Sequence, residues 1–301
     1  MRFITDEEVS QQISMAEAIN VMRTCFAEYS QGQASVLGRT RTELNGKYLS
    51  VMGGVLAQSG VMAAKIYPTL NGQFNFVIPL FSTETGKLLS VLEGNALTGL
   101  RTAAVTRVVL EQLYTGKETS LTIFGTGIQA YAHARALIPN STFTSVFVCG
   151  IDSAEDFAKK LQTDFGVTAH AAQAGIALQS DVIVTATRSP TPLFSADLVQ
   201  PNAIIAAIGS SKPANRELDE ATLAKAATIV VEWKAQTLAE AGEFMQLKDK
   251  EAIKSKTIEI GELFNASCPA YKTGIRIYKS VGIGIEDVAL ANYIYQKIEM
   301  D

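Results

Sequence analysis

The chain of 301 residues carries 26 Lys and Arg against 30 Asp and Glu, a net charge of −4, with 47% hydrophobic and 19% charged residues. This is globular composition, long enough for about two domains, with no surplus of positive charge to hold a nucleic acid or an acidic membrane surface. Two histidines, His133 and His170, and three scattered cysteines, Cys25, Cys149 and Cys268, exclude a histidine-rich metal centre, a disulfide framework and a CxxC zinc site.

The beginning, MRFITDEEVS, lacks the basic and apolar regions of a secretory leader. No uncharged apolar run of about 18 residues follows, so a cytoplasmic protein with no membrane partner is expected. Residues 14–30 place Ser14 and Glu17 in capping-box spacing and Ile19, Met22, Phe26 and Tyr29 at helical intervals, which predicts an amphipathic helix. From Leu37 to Leu92 short apolar or alternating runs, KYLSVMGGV, VMAAKIYP, FNFVIPLFST and KLLSVLE, are separated by Asn-Gly and Thr-Gly pairs. They predict a meandering, largely antiparallel sheet. A long helix over 95–114 follows, and Gly116 marks a domain boundary.

Beyond it, apolar strands alternate with helices: SLTIFG, a helix over 127–138, SVFVCG, a helix over 153–164, then DVIVTAT, AIIAAIG and TIVVEW. That rhythm predicts an α/β fold with a doubly wound parallel sheet. A last amphipathic helix over 286–299 returns to the N-terminal part, making the first domain discontinuous.

Gly125, Gly127 and Ala130 form G-x-G-x-x-A directly after a strand and at the opening of a helix. There Gly125 permits the tight turn, Gly127 lets the backbone approach a pyrophosphate, and Ala130 allows close helix–strand packing. The residue that reads the adenosine ribose should follow about 20 positions on. That place holds Cys149-Gly150-Ile151-Asp152, with neither an acid at 150 nor an Arg at 151. Asp152 is either the ribose ligand or a helix-capping aspartate, which leaves the choice of NAD or NADP open. His133 is read as a ring packed between helix and sheet or lining the coenzyme's edge, and His170 as structural or exposed.

Several phrases together resemble the ornithine cyclodeaminase/mu-crystallin family: VMAAKIYP around Lys65, EGNALTGLRTAAVT around Arg101, FGTGIQAYAH, SDVIVTATRSPTPLF, IGSSKPANRELD and YKSVGIGIEDVALA. The resemblance implies a Rossmann-type NAD(P) domain over 116–275 within an α+β substrate and dimerisation domain built from 1–115 and 276–301. It also implies a homodimer acting on a small amino or imino acid, without a metal. It places carboxylate-binding residues at Arg39, Lys65 and Arg101. Arg39 is preferred to Arg41 by its spacing to SVM at 50–52, though both share one face of a strand and the choice between them stays open. Lys65 lies in an apolar strand and Arg101 at an apolar helix start, where a buried cation demands an anionic partner.

Coenzyme contacts implied by the same phrases are Thr102, Gly125, Thr126, Gly127, Ile128, Gln129, Asp152, Thr185, Ala186, Thr187, Ile208, Gly209, Ser210, Lys279, Ser280 and Gly282. Two departures select the branch. Where cyclodeaminases carry a Glu and an Asp, this chain has Ser50 and Ser211. A serine is a poor proton acceptor, which disfavours amine elimination and favours hydride addition to an existing imine, with Lys65 and Ser211 as the catalytic pair. The rival expectations are ornithine cyclisation, alanine dehydrogenation and a crystallin-like binding protein without turnover.

Overall fold

The computed structural model describes residues 2–71, 73–264 and 273–300; Cys268 lies outside them. The chain divides into two compact units, Met1–Val105 with Gly282–Asp301, and Thr106–Val281.

In the first unit, strands β1 (Arg2–Ile4), β2 (Ala34–Leu44), β3 (Lys47–Leu56), β4 (Val61–Leu70), β5 (Gln73–Phe74), β6 (Val77–Ser82) and β7 (Leu88–Glu93) form a sheet in the order β1-β7-β6-β4-β3-β2, with β5 on β4. The meander is antiparallel as expected, while β1 pairs parallel to β7. The helix Met15–Ser30 starts at the Ser14–Glu17 capping box. A helix over Asp6–Gln12, with its own box from Thr5 and Glu8, is an element the sequence reading does not contain.

β4 alternates strictly, burying Val61, Ala63, Lys65, Tyr67 and Thr69. That buried face receives the helix Gly284–Met300, whose residues are inaccessible over most of its length. The approach is close because glycine meets glycine: a Cβ on Gly284 would stand 2.2 Å from the backbone N and O of Gly53. No larger residue fits at Gly284 without moving the helix off the sheet, and a Cβ on Gly53 would stand 2.2 Å from the Ala63 carbonyl oxygen of β4.

In the second unit, strands β8 (Ser120–Phe124), β9 (Ser145–Cys149), β10 (Thr168–Ala171), β11 (Val182–Thr185), β12 (Ile204–Ala207), β13 (Ala226–Val231), β14 (Thr257–Glu259) and β15 (Ile275–Lys279) form one parallel sheet. Its order is β10-β9-β8-β11-β12-β15-β13-β14, so the winding reverses between β8 and β11, where a doubly wound sheet opens its ligand crevice. β11 and β12 are buried on both faces, as covered parallel strands are.

Both sequence-expected boundaries move. The first falls at Val105/Thr106, inside the helix Asn95–Leu113, rather than at Gly116. The second falls after Val281 rather than at 275/276, because β15 inserts between β12 and β13 with every residue buried. Among the described residues no helix is long and apolar enough to cross a membrane.

Candidate functional site

The first unit gathers charged side chains that its apolar surroundings cannot tolerate singly. Lys65 projects from β4 and is 2% exposed. Its ammonium donates to Thr98 Oγ1 at 2.6 Å and Asp287 Oδ1 at 3.0 Å, and lies 4.1 Å from the centre of the Phe76 ring. Arg101, from the helix Asn95–Leu113, donates to Glu286 Oε2 at 2.7 Å and stands 3.5 Å from Asp287 Oδ1. Its guanidinium lies against Gly282, which has φ +72° and where a Cβ would be 2.4 Å from Nη1. Arg39, half-buried at the irregular step between Leu37 and Thr40 in β2, donates to the Gly282 carbonyl at 3.2 Å.

The three expected cations of this unit therefore converge, and Arg39 rather than Arg41 bears electrostatically on Lys65. Arg41 is exposed and pairs across the strands with Ser50. Burial pulls the Lys65 ammonium down to about 8, helped by Arg101 and Arg39 and opposed by Asp287.

The sequence reading misses the acidic half. Glu286 and Asp287 sit in the first turn of Gly284–Met300, each 1% exposed. Acids are ordinary in a first helical turn, where they meet the positive end of the dipole, so nothing in the sequence marks these two as cluster members. Three cations against two carboxylates leave one net positive charge in the cluster.

In the second unit the glycine loop follows β8. Gly125 has φ +108°, and a Cβ there would meet the Ala186 carbonyl oxygen at 2.7 Å, so only glycine makes this turn. Around Gly127 there is open space, and no side chain caps the helix Ile128–Leu137 that it begins. Gln129 Oε1 is buried without a hydrogen-bond partner among the described residues. Uncapped N–H groups beside an open glycine backbone fit the pyrophosphate of a dinucleotide.

Beneath the neighbouring loops lies a third missed residue, Glu217, fully buried in ANRELD. Its Oε1 accepts from the N–H and Oγ1 of Thr187 and its Oε2 from Thr185 Oγ1 and the Gly209 N–H, all at 2.7 Å. The Glu217 N–H donates to Glu243 at 2.9 Å, Glu243 pairs with Lys279 at 3.2 Å, and Lys279 donates to the Ser210 carbonyl at 2.8 Å. One buried chain thus fixes the loops that leave β11 and β12.

The remaining expected residues separate accordingly. The side chains of Thr185, Lys279 and Ser280 turn into the protein, Ser280 onto Glu232, so they shape the coenzyme unit from beneath instead of presenting polar atoms to it. Thr102 and Gly282 belong to the first unit, where Thr102 Oγ1 donates to the Thr98 carbonyl at 2.8 Å. Asp152 is exposed beyond β9, and the helix Ala154–Phe165 takes Ser153, not Asp152, as its cap residue. Thr126 lies within the glycine loop, and Ser211, half-buried, follows β12. His133 is buried, with Nδ1 2.7 Å from the Gln129 carbonyl and Nε2 2.9 Å from Thr106 Oγ1, a packed ring as expected; His170 is exposed on β10.

Comparison with known proteins follows the same lines. The family model described as ornithine cyclodeaminase/mu-crystallin matches residues 2–301. The ketimine reductase mu-crystallin of Rattus norvegicus is 30% identical over 97% of this chain and 96% of its own. A probable ornithine cyclodeaminase from Bordetella pertussis superposes with a TM-score of 0.95 at 37% identity, covering 100% of this chain and 97% of that one. The Δ1-pyrroline-2-carboxylate reductase of Thermococcus litoralis, solved with NADH and L-proline, gives 0.91 at 26% identity, covering 100% and 98%.

Proposed function

Since this chain belongs to the ornithine cyclodeaminase/mu-crystallin family, and is an NAD(P)-dependent oxidoreductase of C=N bonds, we propose that it reduces a small cyclic ketimine carboxylate. The favoured reaction takes Δ1-pyrroline-2-carboxylate to L-proline, with Δ1-piperideine-2-carboxylate to L-pipecolate as the six-membered counterpart. The observation that carries this reading is the cluster of buried Lys65 and Arg101 with half-buried Arg39, which with Glu286 and Asp287 leaves one net positive charge for one carboxylate.

Arg101 and Arg39 hold the substrate carboxylate and fix the ring. Lys65, cationic at neutral pH, completes that grip and supplies the proton the imine nitrogen needs. The glycine loop from Gly125 to Gln129 holds the pyrophosphate, and Thr187, Gly209 and Ser210 line the loops that Glu217 and Lys279 brace. The bound coenzyme supplies the hydride. Ser211 and Ser50 stand where a cyclodeaminase carries carboxylates, so abstraction of a proton from an amine has no base at either position.

We also read the outward face of the first sheet, with Leu49, Ile66, Leu70 and Val77 each more than a third exposed, as the surface of a homodimer. Light scattering checks it, and a monomer at micromolar concentration contradicts it. The activity is tested by coenzyme oxidation with both imines, beside pyruvate plus ammonia and ammonia release from ornithine. Imine-dependent oxidation is expected, and ornithine deamination without it overturns the reading in favour of a cyclodeaminase.

A further inference from the structure

Asp287 uses only half of its hydrogen-bonding capacity. Oδ1 takes Lys65 at 3.0 Å and faces Arg101 Nε at 3.5 Å, while Oδ2 is buried with no hydrogen-bond partner among the described residues. A carboxylate oxygen withdrawn from water and left unpaired is costly, and such an atom persists where a ligand completes it. Ser50 Oγ repeats the pattern: it is buried, also without a partner among the described residues. Met52 pairs across the sheet with Lys65, and Ser50, two positions earlier on β3, shares that face.

The two buried acids offset two of the three cations, and Asp287 still has an oxygen to spare. A ring that carries a carboxylate and, beside it, a cationic N–H uses both kinds of group. We propose that Asp287 is the residue that reads the substrate nitrogen, Oδ2 accepting the hydrogen bond of the iminium N–H while Oδ1 holds Lys65. The inference rests on the imine-reductase reading, in which Lys65 gives the imine nitrogen its proton, and deepens it by naming the group that accepts the resulting N–H.

The balance of the step is simple. A proton from Lys65 makes the iminium, hydride adds to the ring carbon, and the C=N electron pair stays on nitrogen as the amine. No bond to Asp287 forms or breaks. A 2-oxo acid of similar shape would set a carbonyl oxygen against Oδ2, acceptor against acceptor, so the same contact selects imines over ketones.

The test uses the coenzyme-loaded protein and two planar mimics, pyrrole-2-carboxylate and furan-2-carboxylate, which share ring size and carboxylate and differ by N–H against O. Calorimetry on the wild type should give tighter binding of the pyrrole by at least about tenfold, the size of one charge-assisted hydrogen bond. In Asp287→Asn, Lys65 and Arg101 hold the amide oxygen, which turns an N–H toward the ring, and the preference should shrink to within about twofold. Equal wild-type affinities overturn the proposal whether or not the variant folds, as does a variant that keeps the preference. If the wild type reduces imines yet binds both mimics equally, only the nitrogen assignment falls; if it reduces no imine, the functional reading falls and takes this inference with it.

Discussion

Glu217 and Asp287 are both buried carboxylates, one in each unit, and their partners differ in number. Glu217 meets four donors with two oxygens and has nothing left to offer. Asp287 meets Lys65 and Arg101 on one oxygen and leaves the other unpaired among the described residues. A satisfied buried acid holds backbone in place, whereas a half-satisfied one among opposed charges is prepared for a ligand.

The cluster side of that contrast should be the more sensitive. On the proposed roles, Lys65→Ala removes both a carboxylate ligand and the proton source, so kcat for imine reduction should fall by about 10²–10⁴-fold, with a rise in KM. Steady-state kinetics check it, and an unchanged kcat would remove Lys65 from the chemistry. Arg101→Ala should raise KM by about 10²-fold with a smaller change in kcat, because its contact is made to bound substrate and transition state alike.

The framework side should respond in coenzyme binding. In Glu217→Gln either orientation of the amide sets an N–H against a backbone N–H, of Thr187 or of Gly209. The dissociation constant for NADH should rise about tenfold or more while kcat at saturating coenzyme changes by less than about threefold. Fluorescence titration reads the first and kinetics the second; an unaltered affinity would reduce Glu217 to a core residue.

Two pH effects follow. Lys65, pulled down to about 8 chiefly by burial, loses its proton above that pH, so kcat/KM should decline on the alkaline side from about pH 8. A profile flat to pH 10 would contradict its role. In the second unit, burial pulls His133 down to about 4 from 6.5. Its neutral ring is stabilising above the unfolded value, and that contribution is lost as pH falls from 6.5 toward 4. Thermal unfolding across this window should show a loss of roughly 2–3 kcal/mol, flattened in His133→Gln.

The parallel sheet, the glycine turn and the cations were legible because each breaks or repeats a local pattern. Gly125 and Gly127 punctuate a strand–helix junction, and Lys65 and Arg101 interrupt apolar runs. Glu286, Asp287 and Glu217 were not legible, since an acid in a first helical turn or in a polar loop looks like surface until the tertiary fold buries it. β15 escaped for a related reason: its place between β12 and β13 is set by the winding of the sheet, not by its five residues. The family resemblance led to Lys279 as a coenzyme contact, and only the structure shows its ammonium turned onto Ser210 and Glu243.

The most direct test of imine reduction is to follow the hydride. With Δ1-pyrroline-2-carboxylate and coenzyme deuterated at the transferring position of C4, as NADH and NADPH in parallel, mass spectrometry should find one deuterium at C2 of the L-proline formed. Proline without deuterium, or product formed from ornithine with release of ammonia and no turnover of the imine, would contradict it.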